Sequence, residues 1–412
     1  MSFEYTVVGA GPSGIIAIVR ILEKLFQDTQ NCIEACRLAK KVCWIDDHFS
    51  VGAFGQQWKN VPGNTTAAKY QTVYKEMYTI LKLYGISKPS FQFELDLEEA
   101  HYTSLLKTAA EPLLWMTEQL MKIITPIKGK ATKAISSNDG LEIDIQTKTQ
   151  YEKIHSKKCI LAIGGEAKIV STMPTHQKHK IIPLEIALDL ILLNKFIEAH
   201  PALLKRCILV QGSSHSAALA VWNLLACGAT VKQIMNKPYN YYRSQKNPDG
   251  TTRVYYENDG LKGKVAEFTL ALESGKIFAD KWSCEIHEHA NSKDFSTYDF
   301  VIFAIGLQPV NSLTINEIPS SALSYNLHTS ETRIPGVFVV GAGYPLLASD
   351  GSKNVGISKF WPDMGKAAST WHEKPVKTKS LSDYYPTFGL LADKSFNNFP
   401  LPVAPAKFTA RL

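Results

Sequence analysis

Apolar residues fall in short runs along this chain, and the clearest runs end in glycine. Residues 4–8 predict a buried parallel strand, and the apolar spacing over 12–26 predicts the helix that follows. The stretch 27–41 is longer than a minimal helix-to-strand connection, and its apolar positions Cys32, Ile33, Cys36 and Leu38 suit an added helical segment. A second strand is predicted over Val42-Cys43-Trp44-Ile45, ending at Asp46-Asp47. A loop rich in glycine, asparagine and aromatic residues covers 51–66, and helical spacing resumes at about 67–83 and 97–121.

From 128 to 156 the period becomes two, and Asn138-Asp139-Gly140 marks a turn between alternating strands. Strand 158–162 then ends in Gly164-Gly165. The same order of elements recurs: strand 207–211, helix 215–227, strand 230–235, an irregular polar stretch over 236–260, a meander expected from about Val265 to His289, and a closing strand over 300–305. A late strand delivers Gly341-Ala342-Gly343, and a helix is expected at about 363–371. Beyond Glu373 the sequence is rich in proline and lysine, a composition common in terminal tails.

Composition narrows the function classes. The chain has 412 residues with a net charge of +7, and no run of Lys and Arg interleaved with aromatics marks a nucleic-acid groove. No stretch reaches the ~20 apolar residues of a membrane span; the best, 181–193, is short and carries Glu185 and Asp189. No secretory leader is read at the N-terminus, because the apolar residues there hold the glycine pattern. Of seven cysteines none forms C-x-x-C, and Cys43, Cys159 and Cys207 are expected in buried strands. This fits a reducing compartment and a cytoplasmic protein, and it argues against a redox dithiol.

The candidate chemistry lies at the glycines. Gly9-x-Gly11-x-x-Gly14 follows the first strand: the first glycine makes the tight turn, the second admits a pyrophosphate, and the third lets helix and strand pack closely. Pro12 and Ser13 open a helix whose free N–H groups and dipole favour phosphate. Asp46 ends the next strand, where a carboxylate would bind ribose hydroxyls, with Asp47 as a rival. Asp46 lies further along than the usual ~20 residues, and the 27–41 extension accounts for the excess. The second copy reads Gly212-Ser213-Ser214-His215-Ser216-Ala217, with Ser214 where the second glycine would stand. Its next strand ends in Asn236-Lys237 without a carboxylate, and Lys237 and Arg243 favour the extra phosphate of NADPH. Each copy is answered by an Ala-Ile-Gly strand end, at Ala162-Ile163-Gly164 and Ala304-Ile305-Gly306. His215 is read either as a phosphate contact or as the start of a helix.

Over roughly residues 3–372 these motifs resemble the two-dinucleotide-domain flavoproteins, in which FAD fills the first site and NAD(P)H the second. The resemblance implies an α/β fold of two Rossmann-like, glutathione-reductase-type domains, each with a parallel sheet and an antiparallel β-meander. The implied boundaries are 1–170 and 301–375 for the FAD-binding domain, 171–300 for the NAD(P)H-binding domain, and 376–412 for a C-terminal tail. In that plan Gly164, Gly341 and Gly343 approach the flavin, and the helix near Asp363-Met364-Gly365 points its N-terminus at the flavin ring.

The loop Trp58-Lys59-Asn60-Val61-Pro62-Gly63-Asn64-Thr65-Thr66-Ala67-Ala68-Lys69 is similar to the flavin-containing monooxygenases, as is Gly212 to Ala217. That similarity implies a catalytic-site Asn64 beside flavin and nicotinamide, a flavin contact at Trp58, and oxidation of a small nitrogen or sulfur nucleophile by O2 with NADPH; the residues themselves also allow Asn64 as a turn residue after Pro62-Gly63 and Trp58 as core packing. The family's F-x-G-x-x-x-H signature has no clear counterpart, and His176 and His179 do not match it. Two alternatives stay open: a reductase that inserts no oxygen, and a flavin-binding interaction protein whose nicotinamide site has decayed. Substrate and protein partners are not readable from these residues.

Overall fold

A computed structural model describes residues 1–170, 178, 180–246, 252–255, 260–287, 295, 298–347 and 355–372, with backbone alone for 243–246 and 252–255. The described elements belong to one compact unit, Met1–His372. His176, His179 and the 376–412 tail lie outside the described residues.

The chain opens with β1 (Ser2–Val8) and α1 (Pro12–Thr29). Pro12 occupies the first turn of α1, where a missing N–H costs nothing, and Ile15, Ile18, Val19 and Leu22 recur on its buried face. The expected extra helix is α2 (Cys32–Ala39), and Asn31 Oδ1 caps it by accepting from the N–H groups of Ile33 and Glu34. Next come β2 (Val42–Asp46), α3 (Gly52–Gly55), β3 (Pro62–Thr66) and α4 (Ala67–Leu83). The single helix expected at 97–121 is instead α5 (Glu94–Leu97), β4 (Thr103–Leu105) and α6 (Leu106–Ile123). The break arises because Thr103–Leu105 pairs antiparallel with β3, a tertiary demand that helical spacing does not reveal.

The meander follows as β5 (Thr125–Lys128), β6 (Lys130–Ser137), β7 (Gly140–Gln146) and β8 (Tyr151–Leu161), with a short β9 (Gly165–Ala167). Helices α7 (Leu184–Leu188) and α8 (Leu190–Ala199) lead to β10 (Cys207–Gln211), α9 (His215–Ala226) and β11 (Thr230–Met235). Strands β12 (Arg243–Lys246) and β13 (Thr252–Tyr255) pair with each other inside the stretch read as irregular. Then come α10 (Gly263–Glu273), β14 (Trp282–Ile286), β15 (Phe300–Phe303), β16 (Leu307–Pro309), β17 (Thr314–Ile315), β18 (Ile318–Pro319), β19 (Val337–Val339) and α11 (Ile357–His372).

Three expectations need correction. The meander at Val265–His289 is α10 and a strand, β14, that joins the sheet in parallel. Val265, Phe268 and Leu272 are buried at helical spacing, and that period wins over alternation. The late helix begins at Ile357, so Asp363 lies inside α11 and not at its N-terminus. Cys207 is exposed at the start of β10, whereas Cys43 and Cys159 are buried.

Two parallel sheets organise the chain. In the first lobe β5, β2, β1, β8 and β19 lie side by side in parallel. Strand β8 also pairs antiparallel with β7 through its first half, which attaches the meander. Val7, Trp44, Ile160 and Phe338 face α1, α4, α6 and α11, while Val8, Cys43, Ile45, Leu161 and Val339 face the meander side. The sheet is thus buried on both faces, as parallel sheets require. In the second lobe β14, β11, β10 and β15 form a parallel sheet covered by α9 and its neighbours. Among the described residues no helix is long and apolar enough to cross a membrane.

Candidate functional site

The two glycine turns share one geometry. Gly9 has φ of +104° and Gly212 has φ of +137°, both left-handed-side values that favour glycine. A Cβ on Gly9 would lie 2.3 Å from the Ala162 carbonyl oxygen, and a Cβ on Gly212 would lie 2.3 Å from that of Ala304. Each closing Ala-Ile-Gly is therefore the wall against which its glycine turns. The backbone bonds repeat as well. Gly9 N–H donates to Ile45 O at 2.8 Å and Gly212 N–H to Ile234 O at 2.9 Å; Ala162 N–H donates to Val8 O and Ala304 N–H to Gln211 O, both at 2.8 Å.

The third position is tight in both copies. A Cβ on Gly14 would lie 2.0 Å from Gly9 O, whereas Ala217 is accommodated, fully buried, in α9. The second position differs. Gly11 is the N-cap of α1 with φ −73° and ψ 177°, and Ser214 is the N-cap of α9 with φ −110° and ψ −174°. Both conformations are open to any residue, so Ser214 carries no backbone strain. Glycine at this position matters for space alone: a Cβ at Gly11 would meet nothing within 4 Å, and the same holds at Gly164 and Gly306. Open cradles therefore lie above the strand ends in both lobes, with Pro12 and Ser13 opening the helix beneath the first. Gly341 (φ +102°) packs against the Ser13 side chain, and Gly343 lies against Gly164 O. The ends of β1, β8 and β19 thus converge.

Asp46 holds this region together. Its Oδ2 accepts from Ala10 N–H at 2.7 Å, and its Oδ1 accepts from His48 N–H at 2.8 Å and Phe49 N–H at 2.7 Å. A carboxylate offers about four acceptor directions, so one remains for a ribose hydroxyl. Asp47 is exposed. In the second lobe Ser213 Oγ donates to Asn236 Oδ1 at 3.0 Å, which seats Asn236 beside the turn. Lys237 is exposed next to it, and Ser216 is partly buried in the first turn of α9. Arg243 opens β12 opposite Tyr255, and its side chain lies outside the described residues.

The loop 58–64 reaches from the first lobe into the second. Val61 belongs to the second lobe's core and Trp58 packs against it. Asn60 Nδ2 donates to Asp189 Oδ2 at 2.9 Å, and Asp189 also caps α8. His215 Nε2 lies 2.9 Å from Pro62 O and donates to it. Burial, which outweighs the Pro62 bond, lowers the His215 pKa to about 4, and the nearby Lys262 charge adds to the effect. The imidazole is neutral at pH 7, and the geometry makes it a bridge between lobes. Asn64 Nδ2 donates to Gly260 O and its Oδ1 accepts from Lys262 N–H, both at 3.1 Å. The Lys262 side chain is itself buried, with Nζ 3.3 Å from Gly260 O. Asn64 keeps one N–H and one acceptor direction for a ligand.

Sequence reasoning missed Lys262 and Asp189. Asp189 before Leu190-Ile191-Leu192 is a legible N-cap signal. Nothing local marks Lys262, because its role comes from the fold.

No family model matches the chain. The monooxygenase AgnR1 of Paecilomyces divaricatus is 22% identical over 401 residues, covering 89% of this chain and 97% of that protein. Among solved structures, the ornithine N-hydroxylase KtzI of Kutzneria sp. 744, described with reduced FAD, NADP+ and L-ornithine, superposes with a TM-score of 0.56 at 11% identity, over 90% of this chain and 99% of that one. The bacillithiol disulfide reductase Bdr of Bacillus cereus gives 0.54 at 14% identity, over 90% and 99%. The L-lysine 6-monooxygenase of Pseudomonas syringae gives 0.53 at 12%, over 90% and 99%. With two glycine turns of one geometry on two parallel sheets, the chain has the fold of the two-dinucleotide-domain flavoproteins.

Proposed function

We propose that this chain is an FAD-dependent oxidoreductase that draws electrons from NADPH and acts as a monooxygenase on a small nitrogen or sulfur nucleophile. The duplicated turn carries the reading: two glycines with the same φ range, the same carbonyl wall and open space above the strand ends. The cradle of Gly11, Gly164 and Gly341 suits FAD, with the α1 N-terminus toward the pyrophosphate and Asp46 toward a ribose hydroxyl. The second turn, with Asn236-Lys237 in place of an acid, suits NADPH. FAD, when bound, would supply hydride acceptance and oxygen activation; the protein supplies binding, orientation and exclusion of water. Asn64 and His215 hold the lobes together where the two dinucleotides would meet. The monooxygenase relative and the two hydroxylase-type structures support oxygen transfer over the alternatives.

A reductase that inserts no oxygen is the second reading, favoured by the likeness to the bacillithiol disulfide reductase. One experiment separates them. Anaerobic NADPH should bleach the flavin of the purified protein. Oxygen uptake should then be matched by product with a primary amine or thioether. Full release of the electrons as hydrogen peroxide with every such substrate would overturn the monooxygenase reading, and no bleaching would overturn both.

A further inference from the structure

The first glycine of each turn has a carbonyl that leaves its strand ladder, and each carbonyl receives a side-chain donor from the neighbouring strand. Trp44 Nε1 donates to Gly9 O at 2.9 Å, and Gln233 Nε2 donates to Gly212 O at 2.9 Å. Trp44 and Gln233 are both fully buried. Their positions also correspond: Trp44 pairs with Val7 and Gln233 with Val210, each two residues before the glycine. The internal repeat therefore extends beyond the glycines to a carbonyl cap that sequence similarity hides, because an indole and a carboxamide share only their N–H. We infer that Trp44 and Gln233 are the positioning residues of the two dinucleotide turns, Trp44 serving the FAD site and Gln233 the NADPH site; this rests on the reading of those sites proposed above.

A left-handed glycine directs its own peptide inward and so aims the following N–H groups at the ligand. The inward carbonyl is buried, and a buried carbonyl without a donor favours another turn. In the first lobe a single rigid ring does this. In the second, Gln233 is itself oriented: Trp282 Nε1 donates to its Oε1 at 3.2 Å, and the Tyr239 hydroxyl lies 2.7 Å from Nε2 and 3.0 Å from Oε1. Tyr239 follows Lys237 in sequence, so the cap links the turn to the loop that leaves β11.

The test uses the full-length FAD-loaded protein with Gln233→Met and Trp44→Phe; both remove the donor, the first at nearly constant volume and the second keeping an aromatic ring of smaller size. Gln233→Met should raise KM for NADPH by about tenfold while FAD content stays at the parent level and flavin bleaching at saturating NADPH changes less than about twofold. Trp44→Phe should weaken FAD retention by about tenfold and leave NADPH binding by calorimetry unchanged. If Gln233→Met fails to fold, Tyr239→Phe should move the same KM in the same direction by a smaller factor. Unchanged KM in both second-lobe variants, or loss of both dinucleotides in either cap variant, would overturn the inference. A parent protein that binds neither dinucleotide would instead overturn the proposed function on which it stands.

Discussion

Asn64 and Lys262 lie 198 positions apart in sequence and are joined directly: the Asn64 side-chain oxygen accepts the Lys262 backbone N–H at 3.1 Å. The Asn64 amide nitrogen simultaneously donates to Gly260 O, so one carboxamide grips the residues that lead into α10. Asn64→Ala removes both bonds. The expected result is a loss of about 1–2 kcal/mol in thermal or denaturant unfolding, with more hydrogen peroxide released per NADPH consumed. Asn64→Asp keeps the acceptor and sets a carboxylate against a carbonyl, so it should rescue neither readout. Unfolding curves and product stoichiometry check the pair together.

The glycine turns predict a crossed phenotype. Gly9→Ala places a Cβ against the Ala162 carbonyl at a strained φ and should cost at least about 3 kcal/mol, with loss of FAD. Gly212→Ala meets the same wall at Ala304 and should abolish NADPH binding while the yellow chromophore stays. Absorbance spectra and NADPH titration of the two variants distinguish the sites.

Asp46 and Asp47 differ sharply in what they touch. Asp46→Ala strands three backbone N–H groups and should cost roughly 2 kcal/mol and weaken FAD retention. Asp47→Ala removes an exposed side chain and should change stability by less than about 0.5 kcal/mol. Flavin release during dialysis and unfolding curves give the comparison.

His215 makes stability depend on pH in one direction. Burial lowers its folded pKa from the ordinary 6.5 to about 4. The unfolded chain therefore binds the proton first as pH falls, and the His215 contribution, complete above about pH 6.5, is lost progressively toward pH 4. The total is on the order of 3 kcal/mol. His372, whose Nδ1 is 2.7 Å from the Tyr5 hydroxyl, is lowered to about 4 by burial and adds to the same slope. His215→Gln keeps a donor for Pro62 O and should remove about half of the slope between pH 6.5 and 4, leaving the His372 part. An unchanged slope would assign it elsewhere.

The cysteines test the reductase reading. Cys32 is exposed and Cys36 partly buried on α2, with the Cys36 thiol pushed up by burial. The double change Cys32→Ser, Cys36→Ser should leave NADPH-driven flavin bleaching at the parent rate. Lost bleaching or lost disulfide turnover would place these thiols in the electron path.

The glycine patterns, the strands around them and the long helix at 67–83 were legible from sequence because each rests on local physics: a left-handed turn, an apolar run of strand length, a 3.6-residue period. The second-lobe meander expected from Val265 gives way to α10 over Val265–Leu272, where short apolar spacing fits two periods until burial chooses one. Helix α11 starts at Ile357, ahead of the expected 363, and carries Pro362 inside it, where local preference alone would favour a boundary.

By itself the sequence determined that there are two glycine turns of one pattern and which residues form them, since φ > 0 and close strand–helix packing select glycine or alanine at fixed spacing. Only the tertiary structure decided how the turns are held and joined. Trp44 and Gln233 acquire the same role through matching strand register, and the segment from Trp58 to Asn64 becomes a clasp only when His215, Asp189 and the Gly260–Lys262 backbone are brought to it. Those contacts join residues more than a hundred positions apart, or chemically unlike groups that present the same donor, and no local pattern encodes either.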